Sequence, residues 1–394
     1  MKITNVDVLM VTVPVATPRP EQAGRGLDRP RTWVLVKIDT DEGISGIGDS
    51  SQPSGGGSEL TGGILRIMCE TLIGEDPNNI EAIWQRLFRQ YTYAGSRGPI
   101  TRAISGIDIA LWDIKGKALG RPVYDLLGGP VRDSISLYTH PRTGTPDQLA
   151  ESAKGLVAEG FRAVKTDPYS PEMGSKSNAY MNGVISMEGL EYGAELISAL
   201  RAAVGPNIEI LIDVHANFNV ASAIRAANRL EEFDITWFEE PVQPESYQAL
   251  RQVKENVRVP ICVGERLFTR YDFAPILEGR LAEYIMPDIC WTGGISEMKK
   301  IATLAETYYV PISPHNVQSP IQIVAGGHTM MTVPNFYRLE IASLQMPNYA
   351  QAFDGPLDIR NGELYLSDQP GLGIELNMDY VTEHSEEGWG PSRA

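Results

Sequence analysis

From residue 131 onward, short apolar runs alternate with amphipathic ones. The apolar runs lie at 135–138, 163–166, 208–212, 236–238, 261–263, 284–286, 310–313 and 336–339, and they predict eight strands. Helical spacing fills the intervals, for example over 146–159, 188–203 and 220–230. Such alternation implies a parallel sheet in an α/β fold, because a parallel crossover needs a helix to bring the chain back. Eight units favour closure into a barrel. Before residue 131 the pattern differs. Apolar runs over 3–13, 33–38 and 44–48, with a turn at Asp41-Glu-Gly43, predict a β-meander. Residues 59–129 read as helical, with Ile104, Ile107, Leu111 and Ile114 on one face. Asp125-Leu-Leu-Gly-Gly-Pro130 then stops the helix. We therefore expect an α+β domain over 1–130, a barrel domain over 131–348 and a C-terminal segment, 349–394, that returns to the first domain through PGLGIELN (370–377). Two polar stretches, 16–30 and 50–58, read either as lids or as connectors, and the insertion 167–187 after the second barrel strand would hang over the pocket of a barrel.

Acids give this pattern a chemical direction. The third, fourth and fifth barrel runs end at Asp213, Glu239 and Glu265, each 26 residues after the one before. Asp288, His315 and Glu340 continue the march at intervals of 23, 27 and 25. A strand, a helix and two loops take roughly 25–30 residues, so each of these groups falls at the C-terminal end of a strand, where a parallel barrel carries its active site. Three converging carboxylates cannot all stay ionised without a cation. A set of oxygen ligands suits Mg²⁺, with room left for water or substrate.

Charge and composition remove other functions. A net charge of −16 argues against nucleic acid or an anionic membrane as partner. An anionic substrate would have to be drawn in by local cations. The three cysteines are widely spaced, without disulfide or metal-site spacing, and suggest a reducing compartment. The N-terminal MKITNVDVLMVTVP alternates like a strand, and no apolar run approaches the ~20 residues of a membrane span. The expectation is a cytoplasmic protein.

The motifs together resemble the enolase superfamily, in its mandelate racemase-like subgroup. SGIDIALWDIKGKALGRPVYDLLGG (105–129) resembles the end of that family's capping domain. Asp213, Glu239 in FEEP and Glu265 in VGER resemble its three metal ligands; Pro287-Asp288 with Gly293-Gly-Ile295, and Ser313-Pro-His315, resemble its Asp–His dyad. The resemblance implies a modified (β/α)7β TIM barrel, capped by an α+β domain built from the N-terminal region and the C-terminal tail. It implies one Mg²⁺ per subunit and proton abstraction from the carbon α to a carboxylate, an arrangement known for enolase-type sites. His315 would be the base, Asp288 would orient it, and Glu340 would donate to or share a proton with the substrate carboxylate. A symmetric homo-oligomer is also expected.

Two departures narrow the subclass. Racemase-type members carry Lys-x-Lys on the second strand, whereas this chain has Lys165-Thr-Asp167, which disfavours a two-base racemase. The third strand ends Asp213-Val-His215; strand alternation puts His215 on the metal side. Asp-x-His resembles acid-sugar dehydratases of the galactonate dehydratase type, in which this histidine is the general acid. The leading expectation is thus an Mg²⁺-dependent aldonate dehydratase, a hydro-lyase that yields a 2-keto-3-deoxy acid. The alternatives are an epimerase, racemase or cycloisomerase on a related sugar carboxylate, and a non-catalytic family member. Lys165, Asp167 and Arg266 are candidate substrate-binding residues, Asp167 alternatively capping the insertion and Arg266 alternatively supporting the ligands. Glu240 is assigned to packing or support of the ligands, and His140, His328 and His384 to structural or surface roles.

Overall fold

A computed structural model describes residues 1–14, 31–52, 57–142, 144–170, 183–342, 346–355 and 357–391. The stretch 16–30, the centre of the second polar loop (53–56) and most of the insertion (171–182) lie outside the described residues.

The meander consists of β1 (Ile3–Val13), β2 (Arg31–Thr40) and β3 (Ser45–Asp49), paired antiparallel in that order. Period-two alternation splits its side chains between two cores. Val8, Met10, Val34, Val36 and Ile38 face the helices α1 (Ser58–Glu70), α2 (Ile80–Gln90) and α3 (Pro99–Leu119). Leu9, Val11, Val13, Trp33 and Leu35 join the large core of the barrel side. Ile104, Ile107, Leu111 and Ile114 of α3 are all buried, as their spacing predicts. Glycine is required where β3 lies on α3: a Cβ at Gly48 would sit 1.9 Å from the Gly106 carbonyl oxygen. The short α4 (Val123–Leu126) follows, ahead of the barrel.

The barrel strands are β4 (Ile135–Tyr138), β5 (Ala163–Thr166), β6 (Glu209–Asp213), β7 (Trp237–Glu239), β8 (Ile261–Val263), β9 (Tyr284–Ile285) and β10 (Leu339–Glu340). β5 to β9 form one parallel sheet. Parallel bridges continue it around the ring, from Thr139 to Val164, from Ile285 to Ile312 and from Ile312 to Phe336, and β10 pairs with β4. The runs at 310–313 and 336–339 thus take their places in the ring with much less ladder than predicted. In the first of these runs Pro311 lacks the N–H group that would extend the pairing. The helices are α5 (Pro146–Ala158), α6 (Met187–Val204), α7 (Val220–Leu230), α8 (Tyr247–Glu255), α9 (Thr269–Glu278), α10 (Ile289–Thr292), α11 (Gly294–Thr307) and α12 (Pro320–Met330). Side-chain caps start many of them: Thr145 with Gln148 in a capping box, Ser186, Asn219, Ser246 and Ser319.

The tail adds α13 (Met346–Ala352), β11 (Phe353–Asp354), β12 (Asp358–Arg360), β13 (Glu363–Tyr365), β14 (Glu375–Leu376) and α14 (Met378–His384). β13 pairs with β4, and beyond it the chain returns to the first domain. There the Leu372 amide donates to Asp113 Oδ1 at 2.8 Å, and the Met10 amide donates to the Trp389 carbonyl at 3.1 Å. The two domains lock through buried polar contacts: Asp108 accepts from the Ser296 amide at 2.9 Å, Asp49 from the Ser319 hydroxyl at 2.6 Å, and the Ser51 carbonyl from Trp291 Nε1 at 2.9 Å. All three cysteines are free and buried. Among the described residues no helix is long and apolar enough to cross a membrane.

His328 is fully buried and stacked on Tyr124. Its Nδ1 accepts from the Tyr124 amide at 3.3 Å and its Nε2 donates to the Leu372 carbonyl at 3.2 Å, which requires the neutral ring. Burial pushes its pKa down to about 4, against an ordinary 6.5. A depressed pKa contributes stability that is fully present above about pH 6.5 and is lost as pH falls through about 4. The contribution is about 3 kcal/mol. Thermal unfolding followed by circular dichroism should therefore show a steeper loss of Tm between pH 6.5 and 4 in the native protein than in His328→Gln; identical slopes would refute this account.

Candidate active site

Asp213 and Glu239 are the last residues of β6 and β7 and are direct register partners. Glu265 lies two residues past β8, beyond Gly264. Gly264 has φ +144°, and a Cβ there would meet the Met286 amide nitrogen at 2.9 Å, so the turn that delivers Glu265 needs glycine. All three acids are buried, and one carboxylate oxygen from each lies within 4.8 Å of the others. Below them the barrel is closed by Tyr138, Trp237, Tyr284 and Tyr337, with ring centroids 5.2–5.9 Å apart. Trp237 Nε1 donates to Glu239 Oε2 at 2.9 Å, so this apolar floor also fixes the central carboxylate.

Lys165, at the end of β5, is enclosed by acids. Its Nζ lies 3.3 Å from Asp213, 2.8 Å from Glu239 and 2.7 Å from Glu340. Burial alone would lower its pKa, but Glu239, Glu340 and Asp213 outweigh it and hold the pKa well above the ordinary lysine value. Glu239 is pushed well up by burial and by Asp213. Glu340 is held well below its ordinary value: burial opposes ionisation, but Lys165, His315 and His140 overcome it. Glu340 Oε1 also accepts from His140 Nε2 at 2.8 Å, and Oε2 from the Asn316 amide at 3.0 Å.

Two aspartate–histidine pairs flank the triad. His315 Nδ1 lies 2.7 Å from Asp288 Oδ2, leaving Nε2 at 3.3 Å from Glu265. His215 Nδ1 lies 2.8 Å from Asp167 Oδ2, leaving Nε2 at 3.4 Å from Asp213. Burial would lower both rings, but the facing carboxylates raise His315 to about 9 and His215 to about 10. His315 is buried under Trp291, with ring centroids 5.1 Å apart; His215 is half exposed.

The route by which His215 reaches the site differs from strand alternation. β6 ends at Asp213, and His215 takes φ 51°, with its amide donating to Asp213 Oδ1 at 2.9 Å. A left-handed turn anchored on Asp213 aims the ring. Asp167 Oδ1 accepts from the Tyr169 amide at 2.9 Å, so this residue both shapes the start of the insertion and holds His215. Arg266 contacts Glu265, lies 3.4 Å from Glu240 Oε2 and donates to the His215 carbonyl at 3.2 Å. Its described contacts brace the triad from the side. Glu240 also accepts from the Gly264 amide at 2.8 Å, and burial raises its pKa to about 7.

His140 is the site residue that the sequence reading passed over, because no motif surrounds it. Its position carried the signal: it lies two residues past the first barrel strand, where the other strands place their chemistry. Asn316, beside His315, was missed as well; its Nδ2 donates to the Glu340 carbonyl at 2.8 Å. His328 and His384 stand apart from the site, the latter stacked on Tyr380.

Comparison with known proteins agrees with this architecture. Residues 5–128 match the family description "Mandelate racemase / muconate lactonizing enzyme, N-terminal domain", and residues 148–380 match "Enolase C-terminal domain-like". The chain belongs to the enolase superfamily. Within that superfamily it is 35% identical to a D-xylonate dehydratase of Haloferax volcanii, over 90% of this chain and 86% of that one. It is 34% identical to a D-galactarolactone cycloisomerase of Agrobacterium fabrum, over 97% and 98%. A crystal structure of an enolase superfamily member from Salmonella Typhimurium superposes with a TM-score of 0.89 at 33% identity, covering 98% of each chain.

The superfamily site is built to hold a cation. The donors are hard carboxylate oxygens, and the Lys165 ammonium already lies against two of the three. Lys165→Met should leave Glu239 and Glu340 buried without their main counter-charge, a loss of about 3–5 kcal/mol. The Tm of the variant in chelator should fall well below wild type and recover in part with millimolar divalent cation. An unchanged Tm would show that Lys165 does not balance the cluster.

Proposed function

We propose that this protein is an Mg²⁺-dependent hydro-lyase that dehydrates acid sugars to 2-keto-3-deoxy acids. The observation that carries this reading is the pair of Asp–His dyads, each turning Nε2 toward the carboxylate triad from a different side. A β-elimination needs a base at C2 and an acid at the C3 hydroxyl, held at once around one bound substrate. A single dyad would serve a simple proton transfer; two serve an elimination. The relative named for D-xylonate dehydration supports the same reading.

Asp213, Glu239 and Glu265 would hold the Mg²⁺. When bound, the ion supplies positive charge to the substrate carboxylate as C2 becomes more negative. Lys165 adds a second cation on the same side. Asp288 accepts from His315 Nδ1, fixing the tautomer in which Nε2 takes the C2 proton. Electrons from the C2–H bond form the C2–C3 double bond as the C3–O bond breaks. His215 Nε2, with Asp167 behind it, gives its proton to the departing hydroxyl, which leaves as water. The enol then takes a proton at C3 and loses one from oxygen, giving the ketone. The raised pKa values of both rings come from the surrounding carboxylates. With a dication held by those carboxylates, much of that bias would be offset and the His315 ring would lie nearer neutrality at ordinary pH. Glu340, ionised and bound to Lys165 and His140, orients the ammonium more readily than it donates a proton.

A second reading is lactone isomerisation, favoured by the relative named D-galactarolactone cycloisomerase. It would use the base without loss of a hydroxyl. Purified protein with Mg²⁺ should convert sugar acids to products detected as 2-keto-3-deoxy acids. His315→Asn should lower kcat by about 10³-fold or more and abolish exchange of C2 hydrogen with deuterated water. His215→Asn should lower dehydration similarly but retain C2 exchange. Isomerisation of sugar-acid lactones by the native protein, without dehydration of mono- or diacids, would favour the isomerase.

A further inference from the structure

Arg102 stands one ring away from His315, and it has no counter-ion among the described residues. It lies in the first turn of α3, in the capping domain. Its guanidinium carbon sits 5.1 Å from the centroid of the Trp291 ring, and that ring is 5.1 Å from His315. Its Nη1 donates to the Gln52 side-chain oxygen, and its Nε is buried without a hydrogen-bond partner. The carboxylate whose field reaches it is Asp288, but both Asp288 oxygens are committed, Oδ2 to His315 and Oδ1 to the Cys290 amide at 2.7 Å. Burial pushes the arginine pKa below its ordinary value, the direction expected of a cation short of an anion. A largely buried guanidinium with an idle donor is costly, and an anion supplied by a ligand removes that cost.

The position of this charge relative to the reacting carbon gives it a use. Under the reading proposed above, on which this inference rests, the C1 carboxylate of the substrate lies at the triad and Lys165, and C2 lies at His315. The remaining carbons must run outward past the base. We infer that Arg102 is a specificity-determining residue that binds a carboxylate at the far end of the chain, so that dicarboxylic sugar acids are preferred over monocarboxylic ones. Arginine suits this task because its planar fork matches a carboxylate with two parallel hydrogen bonds. The negative field of the whole protein and of the triad makes a dianion hard to admit, and a second local cation offsets that repulsion.

The test compares galactarate and glucarate with galactonate and gluconate, using the full chain with Mg²⁺ and its Arg102→Met and Arg102→Lys variants. Native enzyme should show higher kcat/KM on the diacids. Arg102→Met should lower the diacid-to-monoacid ratio by about 30-fold or more, mainly through KM, and Arg102→Lys should restore part of it. An equal fall for both classes would mean that Arg102 only props Trp291 against His315, and would overturn the inference. So would a native preference for monoacids with an unchanged ratio in Arg102→Met. Either of those results leaves the dehydratase reading standing. If none of the four acids reacts, the dehydratase reading loses its support, and calorimetric binding of galactarate to the Mg²⁺-loaded protein decides the matter for Arg102. Binding lost in Arg102→Met sustains the inference, and equal binding or none overturns it.

Discussion

Buried negative charge is the constraint around which this protein is built. Asp213, Glu239, Glu265 and Glu340 converge at one end of the barrel, each with its side chain almost wholly out of water. Ionised together, such groups repel by several kcal/mol per pair unless cations stand among them. The chain supplies Lys165 between three of them, Arg266 against Glu265, His215 against Asp213, and His140 and His315 near Glu340. The balance is incomplete. Asp213 and Glu340 are held ionised, while Glu239 is pushed toward its protonated form. A divalent ion in place of that proton would complete the neutralisation.

The same low-dielectric setting makes the cluster useful. The aromatic floor of Tyr138, Trp237, Tyr284 and Tyr337 shuts water out from below, and Trp237 turns a packing residue into a positioning one through its bond to Glu239. Charges that cannot relax toward water keep their full effect on a substrate placed among them. Both histidines reach the site with one nitrogen already committed to an aspartate, which leaves Nε2 of each facing the acid triad.

Much of this was legible in the sequence, for a physical reason. A parallel barrel repeats at the length of one strand and one helix, so functional groups at strand ends inherit that spacing. Asp213, Glu239 and Glu340 are the last residues of their strands, Glu265 and Asp288 lie two and three residues past theirs, and all keep the spacing, as does His315. What strand periodicity could not carry was geometry beyond the strand. His215 reaches the metal side through a left-handed turn, and Arg266 faces its own neighbour Glu265 and the His215 carbonyl. His140 escaped notice because a lone histidine after the first strand has no local motif, although its place in the repeat equals that of the others. The seventh and eighth strands take the expected places in the ring but with shorter ladders than expected, the seventh because Pro311 lacks a donor.

The division of labour between the domains follows from rigidity. The triad and both dyads hang on barrel strands and the turns directly after them, where register fixes each side chain. Groups that would read the rest of the substrate come from the capping domain, and they meet the barrel at a few buried bonds. Ser51 holds Trp291, Asp49 holds Ser319, and Arg102 lies over the Trp291 ring. Trp291 therefore touches both His315 and the capping domain. A change in the cap that shifts Trp291 alters the surroundings of His315 without touching the triad. Trp291 is thus the residue through which the packing of the cap and the surroundings of His315 are physically joined.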